Sequence, residues 1–495
     1  MSKLDSTIKD VVRLSQEEAD VFEAASRRLR PLTAAPEDGA AKPTVPVLVK
    51  YAGDVARLEE AGLRVRTVAG DVVSGDLAVE AVDTLAAVEG VQRVEAARPM
   101  WRELNVSRAE VRADVVHAGP PANLGAGCLV GIIDSGIDYT HGSFRTAGGQ
   151  SRIRYIWDQT LTPAAGEASP AGFGFGVEYT QAQITAALAA ADPFAVVRHR
   201  DTDGAVGHGT HVSGIAAGDG SDADAGNGIP ANTVIGMAPG AELIVVTNSV
   251  TTEAIGDSAS TLDAARYIFE KAASLGRPVV INMSQGDNIG PHDGTSLLEE
   301  GLDNLLGGAG RCMVKSAGNE GSAGRHAMGT VAAGVGEAVR FVVDPGDTSR
   351  EIIDIWYPAA DRFSFRITPP GGAASAAVNP GTTTTLNLPG GNAVFVDSVV
   401  GAPSGNGDNR IFVTITRGTA ASLQAGTWSF TLTGITVASG AFHAWIERGN
   451  PASTSEFTGA HRTNSHTISI PGTAKAVITA GSYINTGAGA GNLSG

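Results

Sequence analysis

Four short apolar runs set the frame of the central chain: "GCLVGIID" (127–134), "AELIVVTN" (241–248), "PVVINMS" (278–284) and "CMVKSAGN" (312–319). None alternates apolar with polar residues, so each is predicted as a strand of a parallel sheet buried on both faces. Between them, "TLDAARYIFEKAASLG" brings Leu262, Ala265, Phe269 and Ala272 to one face of a helix and meets Gly276 as its stop. Strand and helix in alternation predict an α/β doubly wound parallel sheet.

The pattern differs on either side. "VPVLVKYAG", "DVARLEEAGL", "RVRTVAG", "DVVSGDLA", "VEAVDTLAAVEG" and "VQRVEAAR" read as βαββαβ, the order of a small ferredoxin-like domain of the split-βαβ kind. It follows a Pro/Ala-rich linker, "LTAAPEDGAAKPTVP" (32–46). After residue 331, "RFSFRITPP", "NAVFVDSVV", "RIFVTITRG" and "TWSFTLTGITV" alternate as strands between turn residues. They predict an all-β insert, a sandwich or jelly roll. "AVITAGS" then resumes the earlier apolar grammar. The resulting division is 1–45 extension and linker, 46–100 βαββαβ domain, 101–330 first part of the α/β domain, 331–465 insert, and 466–495 its resumption.

Composition narrows the function classes. The 495 residues carry 36 Lys and Arg against 52 Asp and Glu, a net charge of -16. That speaks against nucleic acid and anionic membranes as partners, since both select basic patches. The N-terminus has charges throughout and no apolar signal core, and no run is long enough to span a bilayer, so a cytoplasmic location is expected, with export by another route left open. Cys128 and Cys312 stand far apart in apolar runs and are expected to be buried free thiols.

Chemistry-bearing residues gather where strands end. Asp134 closes "LVGIID", Ser284 closes "VVINMS", Asn319 follows "VKSAG", and His208 opens the helical "HGTHVSGIAAG". Ligands of a parallel sheet bind outside the carboxyl ends of its strands. An aspartate that orients an imidazole, a histidine that takes a proton from a hydroxyl, and an amide that binds an oxyanion form a coherent set. Each residue alone has a blander reading: a turn or cap for Asp134, a turn for Asn319. His208 and His211 have two, core histidines or metal ligands at i, i+3, the metal reading being the weak one because "HGTH" lacks a zincin's intervening Glu.

Taken together, "VGIIDSGIDYTH", "GHGTHVSGIAAG", "SAGNEG", "GMAPGAELIVVT" and "INMSQG" resemble the subtilisin-like serine proteases (subtilases) over roughly 125–330 and again near 466. "GPHDGTSLLEEGLDNL" and the β insert are similar to the clostridial Csp germination proteases in particular. The resemblance implies a serine endopeptidase with Asp134 as orienting acid, His208 as general base and Asn319 as oxyanion donor, His211 being structural. It further implies that Ser284, Gln285 and Gly286 pair with the backbone of a peptide or protein substrate. Residues 46–100 would be an intramolecular inhibitory prodomain. No cofactor is required. Calcium is possible at "DGSDADAGNG" (219–228) or "RDTDG" (200–204), though neither has the spacing of an ordered calcium loop, and no metal ligand set is assigned.

The nucleophile is missing. The family's serine motif, "GTSMAxP"-like, occurs nowhere in the chain. Ser296 in "DGTS" fits a helix-capping box with Glu299, and Ser494 has no room for a following helix. The expectation is a fragment of an Asp-His-Ser endopeptidase that is inactive as it stands, since losing the serine costs on the order of 10⁶ in kcat. The alternative is a pseudoprotease acting as a binding or regulatory protein. A fragment should also leave an apolar part of its sheet exposed.

Overall fold

The computed structural model describes residues 3–17, 44–97, 101–102, 112–202, 207–222, 230–248, 257–401, 405–447 and 455–481. Helix α1 (Ser6–Glu17) lies within the stretch read as an extension. Most of the linker that follows falls outside the described residues. Strands β1 (Thr44–Tyr51), β2 (Arg64–Ala69), β3 (Val72–Ala78) and β4 (Val91–Ala96) form an antiparallel sheet in the order β2-β3-β1-β4. Helices α2 (Ala56–Glu60) and α3 (Val82–Ala87) cover one face, burying Leu58 and Leu85.

A two-residue strand, β5 (Trp101–Arg102), precedes the main sheet. That sheet is built from β6 (Leu129–Asp134), β7 (Ile153–Asp158), β8 (Val177–Thr180), β9 (Glu242–Thr247), β10 (Val279–Met283) and β12 (Arg311–Ser316), the short β11 (Gln285–Gly286) standing apart. With β24 (Ile478–Ala480) the order is β24-β12-β10-β6-β9-β7-β8. All neighbours are parallel except β7 and β8.

Helices α4 (His208–Ala217), α5 (Ser258–Ser274) and α6 (Leu297–Leu306) are among those that flank the sheet. Helix α5 presents Leu262, Ala265, Phe269 and Ala272 to the core as its spacing predicts. It stops at Leu275, with Gly276 at φ +63°.

Burial on both faces holds for β6 and β9 but not for β10 and β12. Val280 is 43% exposed and Ile478 on β24 is 55% exposed, while Cys312 and Val314 are half-buried. Register explains the group: Val280 pairs with Cys312 and Ile478 with Val314, so all four point to one side. Helix α4 and its neighbours cover that side over β6, β9 and β7; over β10, β12 and β24 no described element does. The expectation of two buried thiols is corrected accordingly. Cys312 lies on this open side, and Cys128 is exposed at the turn before β6.

Between β12 and β24 the chain forms strands β13 (His326–Thr330), β14 (Gly336–Val343), β15 (Glu351–Tyr357), β16 (Arg362–Thr368), β17 (Thr383–Asn387), β18 (Ala393–Val399), β19 (Asn409–Thr416), β20 (Gly426–Thr436), β21 (Ala441–Ile446), β22 (Glu456–Thr458) and β23 (Arg462–Thr463). They make two antiparallel sheets, β17-β18-β19-β15-β21-β13-β23 and β16-β20-β14-β22. Phe341, Phe365, Trp428 and Phe430 are buried in the core they share.

The N-terminal sheet is fastened on two sides. Its second face packs on α5 and α6, where Lys50 Nζ reaches Glu300 at 2.5 Å, Arg66 Nε lies 3.2 Å from Asp263, and Ser74 donates to Asp263 at 2.6 Å. Helix α1 bridges to the β insert: Lys9 pairs with Asp397 at 2.9 Å, Arg350 with Asp10 at 3.2 Å, and Arg410 with Asp5.

Candidate active site

Asp134 is the last residue of β6 and is fully buried. His208 is the first residue of α4, and its Nδ1 lies 2.7 Å from Asp134 Oδ1. A carboxylate only accepts, so Nδ1 donates its proton and Nε2 is the basic nitrogen of the ring. Asp134 Oδ1 also accepts from the Ser135 N–H at 2.7 Å, which fixes the carboxylate as well as the ring.

Local sequence explains how a helix can start here. Gly207, at the N-cap, has φ +61° and no side chain with which to cap. Asp201 takes over, its Oδ2 accepting from Thr210 N–H at 2.8 Å and Thr210 Oγ1 at 2.6 Å. Its other oxygen accepts from Ser135 Oγ at 2.7 Å, so one carboxylate ties the start of α4 to the residue after Asp134. Gly209 permits the approach: a Cβ there would stand 2.1 Å from the Gly136 carbonyl.

Two buried pairs near this edge escaped the sequence reading. His199 Nδ1 lies 2.7 Å from Asp158 Oδ2, both residues essentially inaccessible, and His199 Nε2 accepts from Ile137 N–H at 3.1 Å. Held from both nitrogens, the ring anchors the loop after Asp134. Asp158 ends β7 at the level at which Asp134 ends β6, since both align with Thr247. That strand-terminal aspartate was the available signal. Lys315, fully buried on β12, donates to Ser469 Oγ at 2.7 Å and to the Ser316 carbonyl.

The other residues singled out from the sequence fall as follows. Asn319 is exposed in the turn after β12, two strands from Asp134 along the same carboxyl edge. Ser284 is buried after β10. Gln285 and Gly286 form β11, whose backbone already pairs antiparallel with this chain's own Arg102 and Trp101. The Gln285 side chain points inward, donating to Asn248 at 2.9 Å, so the segment offers only its backbone to a ligand. His211 is exposed, beside Phe144 and Asp222 on a cleft of about 600 Å³.

Ser296 caps α6: its Oγ accepts from Glu299 N–H at 3.4 Å, while Glu299 accepts from Ser296 N–H at 3.2 Å. Ser494 lies outside the described residues, as do 203–204 and 223–228 of the two acidic loops considered for calcium. Asp201, in the first loop, is turned inward to Thr210 and Ser135.

Comparison with known proteins agrees with this geometry. Residues 125–351 match the sequence profile of the subtilase family, peptidase S8. The PI-type proteinase of Lactococcus lactis subsp. cremoris is 32% identical over 211 residues, which span 41% of this chain and 10% of that protein. The PII-type proteinase of Lacticaseibacillus paracasei is 31% identical over 216 residues, again 10% of its length. The chain therefore spans about a tenth of the length of these curated relatives. Among solved structures, the CspB protease of Clostridium perfringens superposes with a TM-score of 0.64 at 26% identity, covering 76% of this chain and 73% of that one. With an Asp–His pair at the carboxyl edge of a parallel sheet and these matches, residues 125–351 are similar to a subtilase-family domain.

Proposed function

We propose that the protein is a serine endopeptidase acting on peptides or proteins, with Asp134 orienting His208, His208 as general base and Asn319 as an oxyanion donor. The observation that carries this reading is the 2.7 Å contact between Asp134 and His208 Nδ1, which leaves Nε2 as the ring's proton acceptor. In this reading the nucleophilic serine, whose motif residues 1–495 do not contain, is supplied by further chain. The open side formed by Val280, Cys312, Val314 and Ile478 is where the segment bearing it packs, next to the strand end that carries Asn319.

In the same proposal, residues 46–100 are a ferredoxin-like prodomain and the two-sheet segment is a jelly-roll insert. The β5–β11 ladder supports the first of these, because Trp101 and Arg102 hold the backbone groups that an incoming peptide would add to. Substrate binding then requires the chain's own residues to leave β11.

A fluorophosphonate probe, which labels only an activated serine, tests the reading on protein expressed from the whole native reading frame. One labelled serine outside residues 1–495, lost in both Asp134→Asn and His208→Ala, is expected. Label on a serine within 1–495 would overturn the proposed source of the nucleophile. No label on a folded, β5-released protein would overturn the endopeptidase reading in favour of a binding protein.

A further inference from the structure

Four of the chain's ten histidines gather around one tryptophan, far in sequence from Asp134 and His208. His326 on β13 and His443 on β21 are diagonal neighbours across an antiparallel ladder, because His326 pairs with Trp445 and His443 with Met328. Their rings stack at 5.2 Å with His326 Nε2 3.0 Å from His443 Nδ1. His466, in the loop after β23, brings its ring within 4.8 Å of His443 and 5.4 Å of His326. One ring nitrogen from each of the three lies within 4.8 Å of the other two. His292 packs outside this trio, stacked on Trp445 at 4.2 Å.

We infer that His326, His443 and His466 form a binding site for one divalent transition-metal ion of borderline softness, with Zn²⁺ as the expected occupant. Imidazole is the ligand such ions favour, and three of them leave a fourth position open. Bonds of about 2.1 Å at a tetrahedral angle set ligand nitrogens about 3.4 Å apart. The His326–His443 separation of 3.0 Å needs only a slight opening to fit, and His466, on an exposed loop, closes the remaining gap.

The surroundings suit an ion more than they suit three unliganded rings. Burial and the neighbouring imidazoles depress His326 to about 3 and His443 to about 4, so both are uncharged at neutral pH. His326 Nδ1 is buried without a well-aligned partner, although the Ser465 backbone is close by. Metal-bound imidazoles hold such a carbonyl with their second nitrogen. His466 Nδ1 is engaged by Ser465 Oγ at 3.0 Å, which leaves Nε2 for an ion. His466 also adopts φ +57°, an uncommon conformation for a residue with a side chain.

The position gives the ion a consequence. The His466 carbonyl accepts from Trp445 Nε1 at 2.9 Å. Three residues on, Ser469 donates to the Ala317 carbonyl at 2.9 Å and Ile470 bridges to Asp287, beside β11. An ion held by the three histidines would clamp the return of the β insert against the segment proposed to bind substrate. The inference itself stands independently of the protease reading.

The test uses the 495-residue chain, stripped with EDTA and titrated with Zn²⁺ in a non-coordinating buffer, with Co²⁺ as a spectroscopic reporter. One Zn²⁺ per chain, visible Co²⁺ absorption of a four-coordinate site, and a rise in thermal midpoint with Zn²⁺ are expected. His466→Asn keeps a residue that tolerates positive φ and should weaken binding at least tenfold, while His211→Asn should not. His443→Asn serves as a second ligand variant. The inference is overturned if no stoichiometric ion binds, or if the His466 and His443 variants bind as tightly as the parent.

Discussion

Arg66 holds the N-terminal sheet to helix α5 from a site with almost no exposure. Its guanidinium is 3.2 Å from Asp263 and 3.8 Å from Asp76, and its field also reaches Asp257. Burial raises both Asp257 and Asp263, Asp257 to about 6 from an ordinary 3.8, and Arg66 opposes that rise.

An acid whose pKa is raised in the folded state loses stability as pH climbs from its unfolded to its folded value. Asp257 therefore takes about 3 kcal/mol from the fold between pH 4 and pH 7, from 2.2 units at 1.36 kcal/mol each. Arg66→Met keeps the volume and removes the charge. At pH 8 it leaves two buried carboxylates without their cation, which should cost about 3–5 kcal/mol. At pH 5 Asp257 is already mostly neutral, and Asp263, raised by burial, is easier to protonate than at pH 8, so the loss should shrink.

Urea unfolding followed by tryptophan fluorescence would measure this, because Trp157 packs 4.9 Å from Tyr267 of α5. Equal losses at pH 5 and pH 8 would refute the argument. So would no loss at pH 8.

Other substitutions check the site. Asp201→Ala removes the carboxylate that caps α4 and binds Ser135, and should destabilise the protein by about 1–2 kcal/mol in denaturant titration. Gly209→Ala drives a Cβ into the Gly136 carbonyl, so a loss of about 1–3 kcal/mol is expected, with His208 displaced from Asp134 in the histidine NMR spectrum. Ser469→Ala takes the hydroxyl from buried Lys315 and should cost about 1–3 kcal/mol; an unchanged unfolding midpoint would show that Lys315 does not depend on it.

Much of the fold was legible because it is written in local periods. The unalternating runs ending in Asp134 and Ser316, the helical spacing of Leu262 to Ala272, and the Ser296–Glu299 box each depend on residues within one element. The same runs gave no indication that β10 and β12 would be open on one side. A strand's apolarity shows that it can be buried, while the element that covers it is chosen elsewhere in the chain.

By itself the sequence determined which residues end strands and open helices, and hence that Asp134 and His208 stand at their termini. Tertiary structure alone decided who meets whom. Trp101 pairs with Gly286, His199 with Asp158, and His326 with His443 and His466. The physical reason is that a period of two or 3.6 residues fixes the face on which a side chain lies, and nothing in it names the partner. Partners at such separations are set by chain topology and packing, once loop closure has been offset by burial of the whole core.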